Sequence, residues 1–324
     1  MAAEKNDWTG VARWDWEDPD TIRARLEAGA DPDARIWGGR PVLHVAAELG
    51  SPEAVAELAA RARDIDAEYM GRTALWEAVF ARCFGNARVL AEAGADPWRP
   101  MMAGWPPGRL ALAGPNPDLF PLPEGRSGLS PAESAAVAEA RRMVAVLGDV
   151  SDYIGMGVAC VAGIDAAEAA RRLQATPITD TGPGSFLADP WSHRLDGEDG
   201  LTIVGATDVS GGCVITQPWG YAPQMPGVLK ALSAGTVCYG MYANPKSGDQ
   251  GSICRDGVLE DWDLIPGAPP GPDASSREVL LSFLYQDDAV GYACAYAGLR
   301  LTDARAVTGP PDVWLRLPRR DYWQ

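Results

Sequence analysis

One pattern returns in this chain after 32 residues, and that period constrains the fold more than any other feature. Gly39-Arg-Pro-Val-Leu-His-Val-Ala-Ala-Glu-Leu-Gly50 aligns with Gly71-Arg-Thr-Ala-Leu-Trp-Glu-Ala-Val-Phe-Ala-Arg82. A second marker recurs as Ala28-Gly-Ala-Asp-Pro-Asp33, Arg61-Ala-Arg-Asp-Ile-Asp66 and Ala93-Gly-Ala-Asp-Pro-Trp98, which places Asp31, Asp64 and Asp96 33 and 32 residues apart. A period of this length marks stacked supersecondary units, each too small to bury its own apolar face alone.

Each part of the pattern has a physical reason. Thr73, or Pro41 in the variant copy, starts a first helix at its cap or first turn. Leu43, Ala46 and Ala47 recur at helical spacing, and the alanines let neighbouring helices approach closely. Gly50 ends that helix before Pro52 opens the next, whose core positions are Val55 and Leu58, with Val89 and Leu90 in the following copy. Gly29 and Gly94 permit the left-handed turn that stops a second helix.

The period and the Thr-Pro-Leu-His-like start resemble the ankyrin repeat. The resemblance covers residues 8–148 as three to four repeats. The first copy is degenerate from Trp8 to Trp16, and Trp76 replaces the motif histidine in the third. A fourth copy begins at Gly104-Trp-Pro-Pro-Gly-Arg-Leu-Ala-Leu-Ala113 and is interrupted by Pro115, Pro117, Pro121 and Pro123; a helix from Ser130 to Leu147 completes or caps it. The resemblance implies an all-α solenoid, a structural role for His44 in tying adjacent hairpin loops, and a partner protein bound by loop tips and first-helix faces. The tips carry Ile36, Trp37, Tyr69, Met70 and Trp98; the first helices would expose Glu48, Leu49, Glu77 and Phe80. Of these, Trp37, Leu49, Tyr69, Met70, Phe80 and Trp98 are the candidate partner-binding residues, since exposed aromatics and Met are enriched at interfaces. The competing expectation is that Trp37 and Tyr69 fold back onto the loop stack or onto the second domain.

From residue 150 to 324 the pattern changes to strands with a few helices. Gly157-Val-Ala-Cys-Val-Ala162 reads as a buried strand, followed by Asp165 as cap and an amphipathic helix from Ala166 to Leu173. Leu201–Ala206 and Gly212–Gln217 flank a Val209-Ser-Gly-Gly turn, and Ser252–Arg255 joins Val258–Trp262 through Asp256-Gly257; both read as hairpins. A helix from Pro226, a strand from Gly235 to Tyr242, and two helices near Ser276–Tyr285 and Ala289–Leu299 complete an α+β domain with a mostly antiparallel sheet. Cys160–Leu173, Leu229–Thr236 and the strand containing Asn244 resemble a domain of unknown function widespread in actinobacteria; that resemblance implies no activity.

Charge and composition narrow the function. The net charge is −16, which argues against a nucleic-acid partner and is compatible with a basic protein partner or with solubility alone. Of 28 basic residues only Lys5, Lys230 and Lys246 are lysine, a bias that suggests a GC-rich bacterial genome. No apolar run is long enough to span a membrane and the N-terminus has no signal-peptide core, so a cytoplasmic protein is expected. The six scattered cysteines read as buried free thiols.

The usual catalytic constellations are missing. Two histidines exclude a His-rich metal site, no phosphate-binding loop or Gly-x-Ser-x-Gly elbow occurs, and neither a metal nor a cofactor is expected. Asp196-Gly-Glu-Asp-Gly200 lacks the alternating ligands of a calcium loop. His193, within Asp189-Pro-Trp-Ser-His193, is the remaining candidate general base, but adjacent Ser and His side chains diverge. Trp219, Tyr221, Tyr242 and Asn244 are the candidate lining of a small-molecule pocket, against the reading that their loop plugs the sheet edge. The expectation is a non-enzymatic interaction or adaptor protein, an antitoxin or immunity role being one version. The alternative is a ligand-binding or catalytic C-terminal domain scaffolded by the repeats.

Overall fold

The computed structural model describes residues 8–148, 154–179, 187, 190–191, 202–263 and 265–323. They form two compact units, one of Met1–Ala135 with Pro269–Phe283 and the other of Ala136–Ala268 with Leu284–Gln324. The N-terminal helical region carries the repeats; the other unit is built on an eight-stranded antiparallel sheet with helices.

In the first unit the helices are α1 (Pro19–Glu27), α2 (Val42–Leu49), α3 (Pro52–Ala59), α4 (Ala74–Phe80), α5 (Phe84–Glu92) and α6 (Pro107–Ala113). They stack in two layers: a 3-10 turn at Arg13–Glu17, then α2, α4 and α6 in one, and α1, α3 and α5 in the other. The turn at Arg13–Glu17 stands where the degenerate first copy lacks its first helix. Starts follow the cap residues: Asp18 accepts from Asp20 N–H, Ser51 from Ala54 N–H and Thr73 from Trp76 N–H. Gly29 and Gly94 have φ of 98° and 106°, the left-handed turns expected after α1 and α5. Ala46, Ala47, Ala54 and Ala78 are fully buried, the close-approach positions of the stack.

The segment Pro269–Phe283 belongs to this unit although it lies far along the chain. Its proline-rich start leads into helix α10, Ser276–Leu284, which follows three other helices in the chain: α7 (Pro131–Leu147), α8 (Ala166–Leu173) and α9 (Pro226–Leu232).

The sheet of the second unit runs β4-β10-β5-β6-β3-β7-β8-β9, where β3 is Gly157–Ala162, β4 Thr176–Pro177, β5 Ile203–Val209, β6 Gly212–Gln217, β7 Val237–Asn244, β8 Gly248–Arg255, β9 Val258–Asp263 and β10 Val313–Arg316. The remaining pair, β1 (Arg35–Ile36) and β2 (Arg40–Pro41), is a small hairpin in the repeats. Both hairpins read from the sequence are present, β5 with β6 and β8 with β9. The short edge strand β4 and the late strand β10 carry no sequence signal of their own. Pairing of Cys213, Val161, Cys238 and Cys254 across β6, β3, β7 and β8 sets one row of a face that α8 and α9 cover with Ala169, Leu173, Val228 and Leu232. On the other face Tyr239 meets Tyr292 and Tyr296 of α11 (Ala289–Ala297), at 5.7 and 5.3 Å between ring centroids. Burial on both faces explains why β3 reads as a continuous apolar run instead of alternating. All six cysteines are free thiols, five buried and Cys83 half-buried. Among the described residues no helix is long and apolar enough to cross a membrane.

Candidate protein-binding surface

The loop tips of the repeats are hairpins turned back on themselves. In the first, Arg35 pairs with Pro41 and Ile36 with Arg40, leaving Trp37-Gly38-Gly39 at the tip. One repeat on, Tyr69 and Arg72 exchange backbone hydrogen bonds of 2.9 and 3.1 Å around Met70 and Gly71. Trp37 and Met70 have φ of 40° and 53°, left-handed conformations that disfavour any side chain by about 1 kcal/mol. The tips are cross-linked. The His44 Nε2–H donates to the Arg72 carbonyl at 3.0 Å, which is the loop-tying role expected for it, and the Tyr69 hydroxyl donates to the Gly38 carbonyl at 3.3 Å. Burial, reinforced by the Arg40 and Arg72 charges and opposed by that hydrogen bond, lowers the His44 pKa to about 4, so the ring is neutral.

Beside the first tip lies a tryptophan cluster. Trp8 stacks on Trp16 at 5.6 Å, and its Nε1–H donates to the Asp31 carbonyl. Trp16, fully buried, presents its edge to Trp37 at 6.1 Å. Trp37 remains 56% exposed, Trp14 75% and Met70 49%. The 3-10 turn before α1 carries Asp15 and Glu17, and the cap residue Asp18 is held below the usual carboxylate range by the Thr21 hydroxyl and the Asp20 N–H.

The other candidates divide. Leu49, at the end of α2, is half-buried. Tyr69 is half-buried, edge-on to His44 at 6.3 Å. Trp98 lies over Gly108, where any Cβ would come within 2.7 Å of the indole, and its Nε1–H donates to the Pro121 carbonyl. Two expectations of exposure are corrected. Phe80 and Glu77 are each only 3% exposed. Phe80 stacks on Trp76 at 5.0 Å and meets Phe283 at 5.9 Å, so the chain's own later segment covers it. Glu77 points to Arg72 at 3.0 Å and Arg40 at 3.7 Å, and burial raises its pKa against those two charges.

Sequence reading missed the most connected residue of this face, Arg72. Besides Glu77, it lies over the Trp76 ring at 5.5 Å and its Nη1 donates to the Pro270 carbonyl at 2.9 Å. Its signal was the repeated Gly-Arg at 39–40 and 71–72, where Arg40 likewise meets Glu48 at 2.6 Å.

In the second unit the four candidate pocket residues do not form one site. Tyr221 and Tyr242 come together at 5.7 Å, with Trp323 at 5.8 Å from Tyr221. Trp219 instead meets Trp191 at 6.3 Å and donates to its carbonyl, while Asn244 accepts from Lys246 N–H and caps its own turn. His193, Ser192, Asp189 and the segment 196–200 lie outside the described residues. Among the described residues no three His, Cys, Asp or Glu side chains cluster as a metal site.

Comparison with known families agrees with the geometry of the first unit. The family model for ankyrin repeats, in three copies, matches residues 11–101. No curated protein matches the chain. Residues 11–101 are thus ankyrin repeats, a class of module that in general mediates protein–protein interaction.

Proposed function

We propose that this protein is a non-enzymatic adaptor that captures a basic protein partner on the tip face of its repeats, around Trp37, Trp14 and Met70, with Tyr69 and Leu49 at the rim. The observation that carries this reading is Trp37. A large indole is held more than half exposed on a left-handed turn, braced from behind by Trp16. A braced aromatic loses little conformational freedom when a partner covers it, which is the property of an interface anchor. Exposed indoles suit Lys or Arg side chains through cation–π contact, and the net charge of −16 acts in the same sense by charge attraction. Phe80 and Trp98, occupied within the unit by Phe283 and by Gly108 and Pro121, are not part of this tip surface.

The test is affinity capture by the full chain at low and moderate salt, with Trp37→Ala and Trp14→Ala beside it. Binding of a basic protein that weakens with salt, and falls about tenfold or more in Trp37→Ala, supports the reading. Capture unchanged in both variants moves the binding surface elsewhere.

A further inference from the structure

A second recognition face adjoins the second loop tip at Gly71 and Arg72, and the chain itself occupies it. Three points of the array hold Pro269–Phe283. The Arg72 guanidinium donates to the Pro270 carbonyl at 2.9 Å. Trp105 Nε1–H reaches both the carbonyl and the hydroxyl of Ser276, at 2.9 and 2.8 Å. Phe80 receives the Phe283 ring, which also lies against Gly114 where a Cβ would stand 3.1 Å from it. Pro272 packs beside Gly71, 3.4 Å from where a Cβ would stand, an ordinary van der Waals distance. These are contacts from array side chains to a peptide, with Gly114 where its aromatic ring comes close.

The helix of the segment is capped from within. Ser275 and Glu278 form a reciprocal capping box, Ser275 N–H to Glu278 Oε2 at 2.7 Å and Glu278 N–H to Ser275 Oγ at 3.3 Å. The start of α10 therefore draws its capping hydrogen bonds from the segment itself. Its prolines at 269, 270 and 272 restrict the free segment, so docking orders fewer states. On the array side, Arg72 keeps Glu77 and Trp76 when Pro270 leaves.

We propose that the face formed by Arg72, Phe80 and Trp105 is a peptide receptor, that Pro269–Phe283 is its ligand within the same chain, and that a partner with a segment of the same kind displaces it. The ligand class is an extended, proline-rich stretch running into a hydroxyl-capped amphipathic helix that carries an aromatic ring about two turns in. In the resting chain the apparent affinity for such a partner is lowered by the fraction of receptor faces left open. This site shares the second loop tip with the surface proposed above, but none of its contacts involves Trp37.

The probe is a labelled synthetic peptide of residues 269–283, read by fluorescence anisotropy against the full chain and against the full-length double variant Ser276→Ala, Phe283→Ala. The variant loosens the resident ligand and leaves the receptor intact, so it is expected to bind the peptide about tenfold tighter or more. Equal binding by a variant that keeps its far-UV circular dichroism overturns the proposal. So does a variant that loses its helical signal, because the segment is then part of the array's own fold. Hydrogen exchange on the unaltered chain gives a second reading: amides of Val279–Phe283 are expected to exchange about 100-fold faster than those of α4, and equal protection overturns the proposal. Trp37→Ala leaves both readouts unchanged, which separates failure here from failure of the tip reading.

Discussion

Asn86 does work that its sequence position hides. From the first turn of α5 its Nδ2 donates to the carbonyls of Ala46, Ala47 and Gly50 at 3.4, 3.1 and 2.8 Å, satisfying the end of α2, and the residue is buried. Asn86→Ala is expected to destabilise the fold by about 1–3 kcal/mol, seen as a lower urea midpoint, because those carbonyls lose a partner that water does not replace. His44 makes a second case, in which the sign can be worked out. Its folded pKa of about 4 lies below the ordinary 6.5. As pH falls from about 6.5 to about 4 the unfolded chain takes up a proton that the folded ring refuses, so stability present at neutral pH is lost across that window, by about 3 kcal/mol. The raised pKa of Glu77 opposes this at the acid end. Urea unfolding at pH 7.5 and 5 should therefore show a smaller difference for His44→Gln than for the natural chain. His44 was legible in the sequence because the repeat fixes its neighbours; Asn86 was not, because a polar residue at the start of a helix reads equally well as solvent-facing. Phe80 and Glu77 were misjudged because the residues that bury them, Phe283 and Arg72, come from other parts of the chain or from long side chains whose direction periodicity does not set.

Elements follow the same division between local and distant causes. Helix α8 is legible in outline: Asp165 accepts from Glu168 N–H at 2.7 Å as its cap, and Glu168 pairs with Arg171 and Arg172, which holds that carboxyl down at about 2. A further bond from Ala166 N–H to Asp208 Oδ1, at 2.6 Å, comes from β5 and was not readable. At its other end the chain turns left-handed at Gln174, φ 55°, a position where glycine is the relaxed residue. Gln174→Gly is expected to stabilise by about 0.5 kcal/mol, since relief of the turn outweighs one exposed hydrogen bond from Arg320 and the added freedom of the unfolded chain. A lower urea midpoint for the variant would show that the Arg320 contact matters more than the turn. The same logic explains the sheet. Hairpins joined by glycine turns announce themselves, whereas β10 pairs with β5 across more than a hundred residues and carries only four residues of its own. Nothing in the prolines and serines before α10 marks that segment as a companion of the repeats, because its docking rests on Arg72 and Trp105, each reading as an ordinary residue within its own repeat.

For the whole molecule the dominant fact is charge. At −16, the chain would attract the basic partner proposed above from beyond contact distance, and that attraction would act on the approach. The contacts proposed for Trp37 and Trp14 would be short-ranged and act once the complex has formed. If the tip reading holds, the two contributions separate in kinetics. Raising salt from about 50 to about 200 mM shortens the screening length from roughly 14 to roughly 7 Å and should slow association several-fold while changing dissociation little. Trp37→Ala should do the reverse, speeding dissociation about tenfold or more and leaving the salt dependence of association as it was. Surface plasmon resonance with the captured partner at both salts measures all four rates. An association rate indifferent to salt would remove charge from recognition and leave the acidity to solubility alone. A Trp37→Ala variant whose altered rate is association would mean that the indole shapes the free tip, through its brace on Trp16, and does not anchor the partner.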